Sequence, residues 1–269
     1  MKTMIFAAGL GTRLKPLTNT MPKALVPIGG KPLLQYTIEK LKTSGIYEII
    51  INLHHFAEQI IDFVEINNHF GIHIEFSDER EKLLDTGGGI KKASPFFNDN
   101  QPFLVHNVDI LSNIDLRKLY EAHKQNNSPD PKYYSGEHRL RGAENLLIPP
   151  KKIATLVCNE RQTSRYLLFD KNNRLKGWIN EATGEVKSPF SNFNPQHYRK
   201  LAFAGIQILD PSIFQYMTDI PDRFPIIDFY LSICDREDIS CYIPDNLEIM
   251  DVGKIDSLQE AMLFLNRLS

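Results

Sequence analysis

An α/β fold built on a mixed, mostly parallel sheet flanked by helices is what this sequence predicts, and three features predict it. The chain starts with a nearly continuous apolar run, Thr3–Ala8, that stops at Gly9, the pattern of a strand buried on both faces. Short apolar runs then alternate with segments of helical period as far as residue 107, the signature of helices covering a parallel sheet. Beyond residue 150, strand-like segments follow one another with few helices between them, so the sheet is expected to become mixed.

Between Leu33 and Ser44 the residues Leu34, Ile38 and Leu41 share one helical face, Gly45 ends the run, and Glu48–Leu53 reads as the next strand. Ala57–Asn68 repeats the helical pattern through Ile60, Ile61 and Val64, and His73–Phe76 and Phe103–Asn107 are further strands. Ile153–Cys158, Tyr166–Phe169, Leu175–Ile179 and Leu201–Leu209 are strands of the second half, with Asp170-Lys171-Asn172-Asn173 turning between two of them. Helices return at Ile226–Cys234 and Ser257–Arg267. Residues 126–152 hold few apolar residues and no period, and are read as an insertion or mobile loop within a single domain spanning 1–269.

Composition narrows the function classes. With 31 Lys+Arg against 33 Asp+Glu the formal charge is −2, which provides no global basic field and argues against nucleic acid as a partner. Cys158, Cys234 and Cys241 are odd in number and lack metal-ligand spacing, so they read as reduced thiols. No run approaches the roughly 18 apolar residues of a membrane span, and the opening run is too short for a signal peptide. No membrane partner is expected, and the cytoplasm is the expected compartment.

The first strand leads into Gly9-Leu10-Gly11-Thr12-Arg13-Leu14, and prolines at 16, 22, 27 and 32 prevent a continuous helix before Leu33. This long loop carries Arg13, Lys15 and Lys23. Glycines at the carboxyl end of a buried strand let backbone N–H groups approach a polyphosphate, and an arginine and a lysine offset its charge. The loop is therefore read as a triphosphate cradle, a plain tight turn being the other reading of the glycines alone. A third glycine is missing and no G-K-[ST] ending follows, which sets aside a dinucleotide oxidoreductase and a P-loop enzyme.

The composite Ala7-Ala8-Gly9-Leu10-Gly11-Thr12-Arg13-Leu14-Lys15-Pro16-Leu17-Thr18, Met21-Pro22-Lys23-Ala24-Leu25-Val26-Pro27 and Lys31-Pro32-Leu33 resembles the signature of the sugar-1-phosphate nucleotidyltransferases. Asp85–Gly89, Asn107–Asp109, Ser164–Tyr166, Ala204–Ile206 and Asp251–Gly253 agree in order, and Leu84–Ile90 is most similar to N-acetylmuramate 1-phosphate uridylyltransferases. The resemblance implies a Rossmann-like nucleotide-diphospho-sugar transferase fold, with a nucleoside triphosphate and a sugar 1-phosphate as substrates. It also implies Mg²⁺ held by Asp109 and Asp251. Arg13, Lys23 and Asp109 would then do the chemistry, with Ala7, Ala8, Gly9, Gly11, Thr12, Arg13, Lys23, Thr86, Gly87 and Gly88 holding the nucleotide. Asn107, Arg165, Asn180 and Gly205 would face the sugar. A guanylyltransferase acting on mannose 1-phosphate and a catalytically silent nucleotide-binding relative are the alternatives, and oligomeric state is left open. The chain ends soon after its last helix, so one activity is expected.

A phosphate monoester has a second pKa of about 6 and is largely a dianion near neutrality, so the sugar phosphate needs no general base. His54, His55 and His106 are accordingly read as structural. What the reaction needs is in-line positioning and offset of negative charge. The chain departs from the family in two places: Asn180-Glu181-Ala182 stands where many relatives have Glu-Lys-Pro, and Val108 stands where they commonly have glycine. Arg165, Lys176, Arg199 or the 126–152 segment are the candidate sources of the absent lysine's charge. Arg165 is also the candidate for the lactyl carboxylate of a muramyl sugar, which a planar guanidinium can grip at two oxygens.

Overall fold

Residues 1–125 and 152–268 are described by a computed structural model. The first half runs β1 (Lys2–Phe6), the hairpin pair β2 (Pro27–Ile28) and β3 (Lys31–Pro32), α1 (Leu33–Thr43), β4 (Glu48–Leu53), α2 (Ala57–Ile66) and β5 (His73–Asp78). It continues through α3 (Asp85–Lys92), β6 (Phe103–Asn107), β7 (Ile110–Ser112) and α4 (Leu116–Gln125). The second half comprises β8 (Lys152–Asn159), β9 (Arg165–Phe169), β10 (Leu175–Asn180), β11 (Glu185–Lys187), β12 (Arg199–Leu209), α5 (Ile226–Ile233), β13 (Asp238–Tyr242), β14 (Ile249–Asp251) and α6 (Ser257–Leu268).

Ten strands share one sheet in the order β11-β10-β9-β12-β6-β1-β4-β5, with β8 beside β12 and β13 beside β8. The block β6-β1-β4-β5 is wholly parallel, and β12 joins it antiparallel to β6. Neighbouring residues of the parallel strands face opposite cores: Ile5, Ile49, Ile51 and Leu104 pack on one side, and Met4, Ile50 and Val105 on the other. A sheet buried on both faces needs such unbroken apolar runs, which is why these strands are visible in the sequence.

Three expectations are adjusted. The first strand ends at Phe6 rather than Ala8, because the N–H groups of Ala7 and Ala8 leave the ladder and donate to the Asn52 side chain. The second helix ends at Ile66, and the chain then turns through Asn68, His69 and Phe70 at positive φ. The expected insertion 126–152 lies outside the described residues except for Lys152, which is the buried first residue of β8, paired with Asp238, and belongs to the sheet rather than to a loop.

Candidate active site

Along one edge of the sheet the carboxyl ends of β1, β4, β5 and β6 deliver Phe6–Gly9, Asn52, Glu79 and Asn107–Asp109 to one recess, which Lys23, Leu83, Asp85 and Thr86 complete. This is the edge where open α/β sheets hold ligands. Gly11 has φ +61°, and a Cβ on it would lie 2.8 Å from Thr18 Cγ2 and 3.0 Å from Lys23 Cβ. The Thr18 hydroxyl donates to the Gly11 carbonyl at 2.8 Å. Only a residue without a side chain makes that turn while letting Lys23 come in close behind it. Thr12 and Arg13 follow on a single 3₁₀ turn, Thr12–Leu14, and Lys23 begins another, Lys23–Leu25. Since Asn52 takes the Ala7 and Ala8 N–H groups, an anion in the loop is left those from Gly9 onward.

The two aspartates come together through a small second sheet. β14 pairs antiparallel with β7 so that Asp251 lies opposite Ile110, and the Val252 N–H donates to the Asp109 carbonyl at 2.9 Å. Lys23 forms an ion pair with Asp109. Burial, and then the charge of Asp109, push the Asp251 pKa up, against the pull of Lys23, Arg13 and Arg161. Arg13 flanks the same position: a Cβ on Gly253 would meet both Arg13 Nη2 and Asp251 Oδ1 at 2.7 Å. The residues expected to surround a triphosphate thus converge, although they are scattered from 13 to 251 in the chain.

Asp251 Oδ1 is buried with no hydrogen-bond partner, and its carboxylate repels that of Asp109. Two such oxygen donors fit a hard divalent cation, which offsets both charges and takes its remaining ligands from water and phosphate. Among the described residues no group of three or more His, Cys, Asp or Glu is placed to hold a metal ion by itself.

Thr86 lines the recess, and its hydroxyl oxygen accepts the Ile226 N–H at 2.9 Å, tying α3 to the start of α5. Gly87 and Gly88 serve close packing in the structure. Both N–H groups donate to the Phe224 carbonyl, at 2.9 and 3.3 Å, and both residues are buried. A Cβ on Gly87 would strike the Phe224 ring at 2.2 Å, and one on Gly88 the Asp222 carbonyl oxygen at 1.9 Å. If Gly87 and Gly88 hold the nucleotide as expected, they do so without their N–H groups, which are already bonded. Val108 is buried in the core and leaves the recess open beside it.

A second recess holds Arg165 and Asn180, with Arg161, Trp178, Lys187, Phe203 and Asp228 among its walls. Asn180 Oδ1 accepts the Ala182 N–H at 3.1 Å, so it also braces the turn after β10. Gly205, at φ +73°, lines neither recess but lies against Asn107 of the first one, whose Nδ2 would be 2.7 Å from any Cβ there. Lys176 pairs with Asp170 and Arg199 with Glu160, and neither lines this recess. Sequence reasoning missed Trp178, Lys187 and Asp228. Lys187 sits on a three-residue edge strand and is held by Asp228 at 2.9 Å from α5, a pairing that spacing does not reveal.

A glycine loop, a basic pair and two neighbouring aspartates at the carboxyl edge of the sheet make a recess suited to an anionic ligand. The model of the nucleotidyl transferase family matches residues 2–136, half of the chain, and the chain belongs to that family. It is 42% identical over 122 residues to the N-acetylmuramate alpha-1-phosphate uridylyltransferase of Neisseria meningitidis serogroup B, covering 45% of this chain and 52% of that one. It is 37% identical over 130 residues to a mannose-1-phosphate guanyltransferase of Yarrowia lipolytica, covering 48% of this chain and 36% of the relative. The matched segments thus span about half, or less, of these relatives' length. The structure of HddC from Yersinia pseudotuberculosis complexed with GMP-PN shares the fold, with a TM-score of 0.70 at 22% identity, covering 98% and 99% of the two chains.

Proposed function

We propose that this chain, as a single domain, transfers a nucleoside monophosphate from a nucleoside triphosphate to a sugar 1-phosphate. A phosphate oxygen of the sugar 1-phosphate attacks the α-phosphorus, the bond from that phosphorus to the β-phosphate bridging oxygen breaks, and pyrophosphate leaves. The observation that carries the reading is the convergence of Arg13, Lys23, Asp109 and Asp251 at one edge of the sheet.

The backbone N–H groups of the loop from Gly9 to Thr12 face the triphosphate, and Arg13 and Lys23 offset charge on the α-phosphate and the departing pyrophosphate. Asp109 and Asp251 are the residues that would hold Mg²⁺, which when bound supplies further positive charge to the reacting phosphates. Asn107, with Gly205 against it, and the recess of Arg165 and Asn180 are where the sugar would sit. No general base is needed for a phosphate dianion.

Uridine triphosphate and N-acetylmuramate 1-phosphate are the favoured pair. The similarity to the Neisseria uridylyltransferase supports it, and so does a sugar-side recess carrying Arg161 and Arg165, suited to a sugar that bears a carboxylate besides its phosphate. That choice would place the chain in cytoplasmic recycling of peptidoglycan sugars. The similarity to a mannose-1-phosphate guanyltransferase makes guanosine triphosphate with mannose 1-phosphate the pair to test against it. Pyrophosphate release over a grid of nucleoside triphosphates and sugar 1-phosphates, with Mg²⁺ and with chelator, tests both. Turnover expected only with Mg²⁺ and highest with the uridine and muramyl pair supports the reading; turnover undiminished by chelator overturns it.

A further inference from the structure

The nucleotide loop leaves the sheet over two buried polar side chains that the chemistry above does not use. Asn52 is the penultimate residue of β4 and is 2% exposed, and Glu79 follows β5 and is 1% exposed. Asn52 Oδ1 accepts the N–H of Ala7 at 2.7 Å and of Ala8 at 3.1 Å, while its Nδ2 donates to Glu79 Oε1 at 2.8 Å. Glu79 is fixed in turn, its N–H donating to the Leu53 carbonyl at 2.7 Å and its own carbonyl lying 2.8 Å from His54 Nδ1. Gly89 of α3 makes the room, since a Cβ there would lie 2.8 Å from Glu79 Oε1 and 3.4 Å from Asn52 Nδ2.

We propose that Asn52 and Glu79 form a positioning relay that aims the nucleotide loop. The two N–H groups that would have continued the β1 ladder are captured by one side-chain oxygen, so the backbone leaves the sheet after Phe6 and delivers Gly9 to Arg13 over the recess. An amide can rotate to exchange its oxygen and nitrogen, and only the orientation seen here gives two N–H groups an acceptor. The Glu79 carboxylate selects it, because it accepts from the amide NH₂ and would face the oxygen of a flipped amide. Glu79 thus acts on the loop through Asn52, touching no reacting atom. The relay rests on the reading of this loop as the nucleotide site, but its effect on the backbone does not.

Glu79→Ala, Glu79→Gln, Asn52→Ala and the double alanine variant test it in the full chain, with two readouts. The first is hydrogen exchange at the Ala7 and Ala8 amides without substrate. Faster exchange in Glu79→Ala and Asn52→Ala, and near-native exchange in Glu79→Gln, whose amide oxygen still accepts from Asn52, is expected. The second is the KM for nucleoside triphosphate against that for sugar phosphate. An error of about 1 Å in a bound group costs up to ~10²-fold, so the alanine variants should raise the nucleotide KM roughly 10- to 100-fold and the sugar-phosphate KM by less than about threefold. The double variant should lose no more than either single one, since one chain of bonds is broken in each. Native exchange at residues 7 and 8 in Glu79→Ala, an equal rise in both KM values, additive losses, or failure of Glu79→Gln to rescue would each overturn the relay. Should Glu79→Ala not fold, Asn52→Ala alone carries the comparison with Glu79→Gln. If no substrate pair turns over, the exchange readout still decides the relay, while the nucleotidyl-transfer reading fails separately.

Discussion

Acid should destabilise this protein through His106, and the size of the effect follows from its surroundings. The ring is 2% exposed within β6, between β1 and β12, and burial lowers its pKa from 6.5 to about 4, although the Asn107 carbonyl and Asp109 pull the other way. Nδ1 lies 2.8 Å from the Asn107 carbonyl oxygen, so the neutral ring carries its proton there. Above pH 6.5 the imidazole is neutral in both folded and unfolded chains. As pH falls below 6.5 the unfolded chain takes up a proton that the folded one does not, and stability drops until about pH 4. With those two pKa values one proton is worth about 2 kcal/mol between pH 7.5 and 5, and about 3 kcal/mol in the acid limit. Asp251 and Glu79 act in the opposite sense: their folded pKa values are raised, so the folded chain takes their protons first as pH falls. The test is therefore the difference between wild type and His106→Gln in urea-unfolding free energy from pH 7.5 to 5. Any constant loss from the substitution cancels, and the wild type should lose about 2 kcal/mol more than the variant. A difference flat to within about 0.5 kcal/mol, or an NMR titration placing the His106 ring near 6.5, would refute the reasoning.

Gly88→Ala drives a methyl into the Asp222 carbonyl and should lower unfolding free energy by about 1–3 kcal/mol or more, with native stability in a urea melt as the contrary result. Asp109→Asn and Asp251→Asn should each reduce Mg²⁺-dependent pyrophosphate release by at least ~10²-fold while circular dichroism stays native; full activity in either would remove that residue from the proposed site. Arg165→Ala should weaken use of a muramyl 1-phosphate more than of a neutral sugar 1-phosphate, and equal losses in KM would discard its carboxylate-gripping role. Cys158, Cys234 and Cys241 are buried, with thiols pushed up by burial, the last two to about 12, so a thiol reagent at pH 8 should label them only after denaturation.

The parallel half of the fold was legible because a sheet covered on both faces demands apolar runs, and β1, β4 and β6 supply them. Helix α4 and strand β13 escaped for the opposite reason. α4 buries only Leu116, Leu119 and His123 on an otherwise polar segment, and β13 is five residues, Asp-Ile-Ser-Cys-Tyr, whose apolar character depends on lying beside β8. In the site, Arg13 and Lys23 share a loop with the glycines and could be read from local sequence. Thr86 could be named, but its bond to Ile226 is a pairing across 140 residues that no local pattern encodes. The same holds for Gly87 and Gly88, whose glycine character answers Phe224 and Asp222.

His106 and the Asn52–Glu79 pair show how the fold spends polar burial near the site. Each sits at or near the carboxyl end of a parallel strand, where the ladder gives out and backbone groups need other partners. At β1 the missing partners are replaced by a side chain from the next strand, which turns the loop out over the recess. At β6 a neutral ring sits against the Asn107 carbonyl, next to the residue whose side chain Gly205 accommodates and three positions before Asp109. Protonating that ring would set a charge in the core directly behind Asn107. Loss of stability in acid and disturbance of the Asn107 position should therefore begin at the same residue.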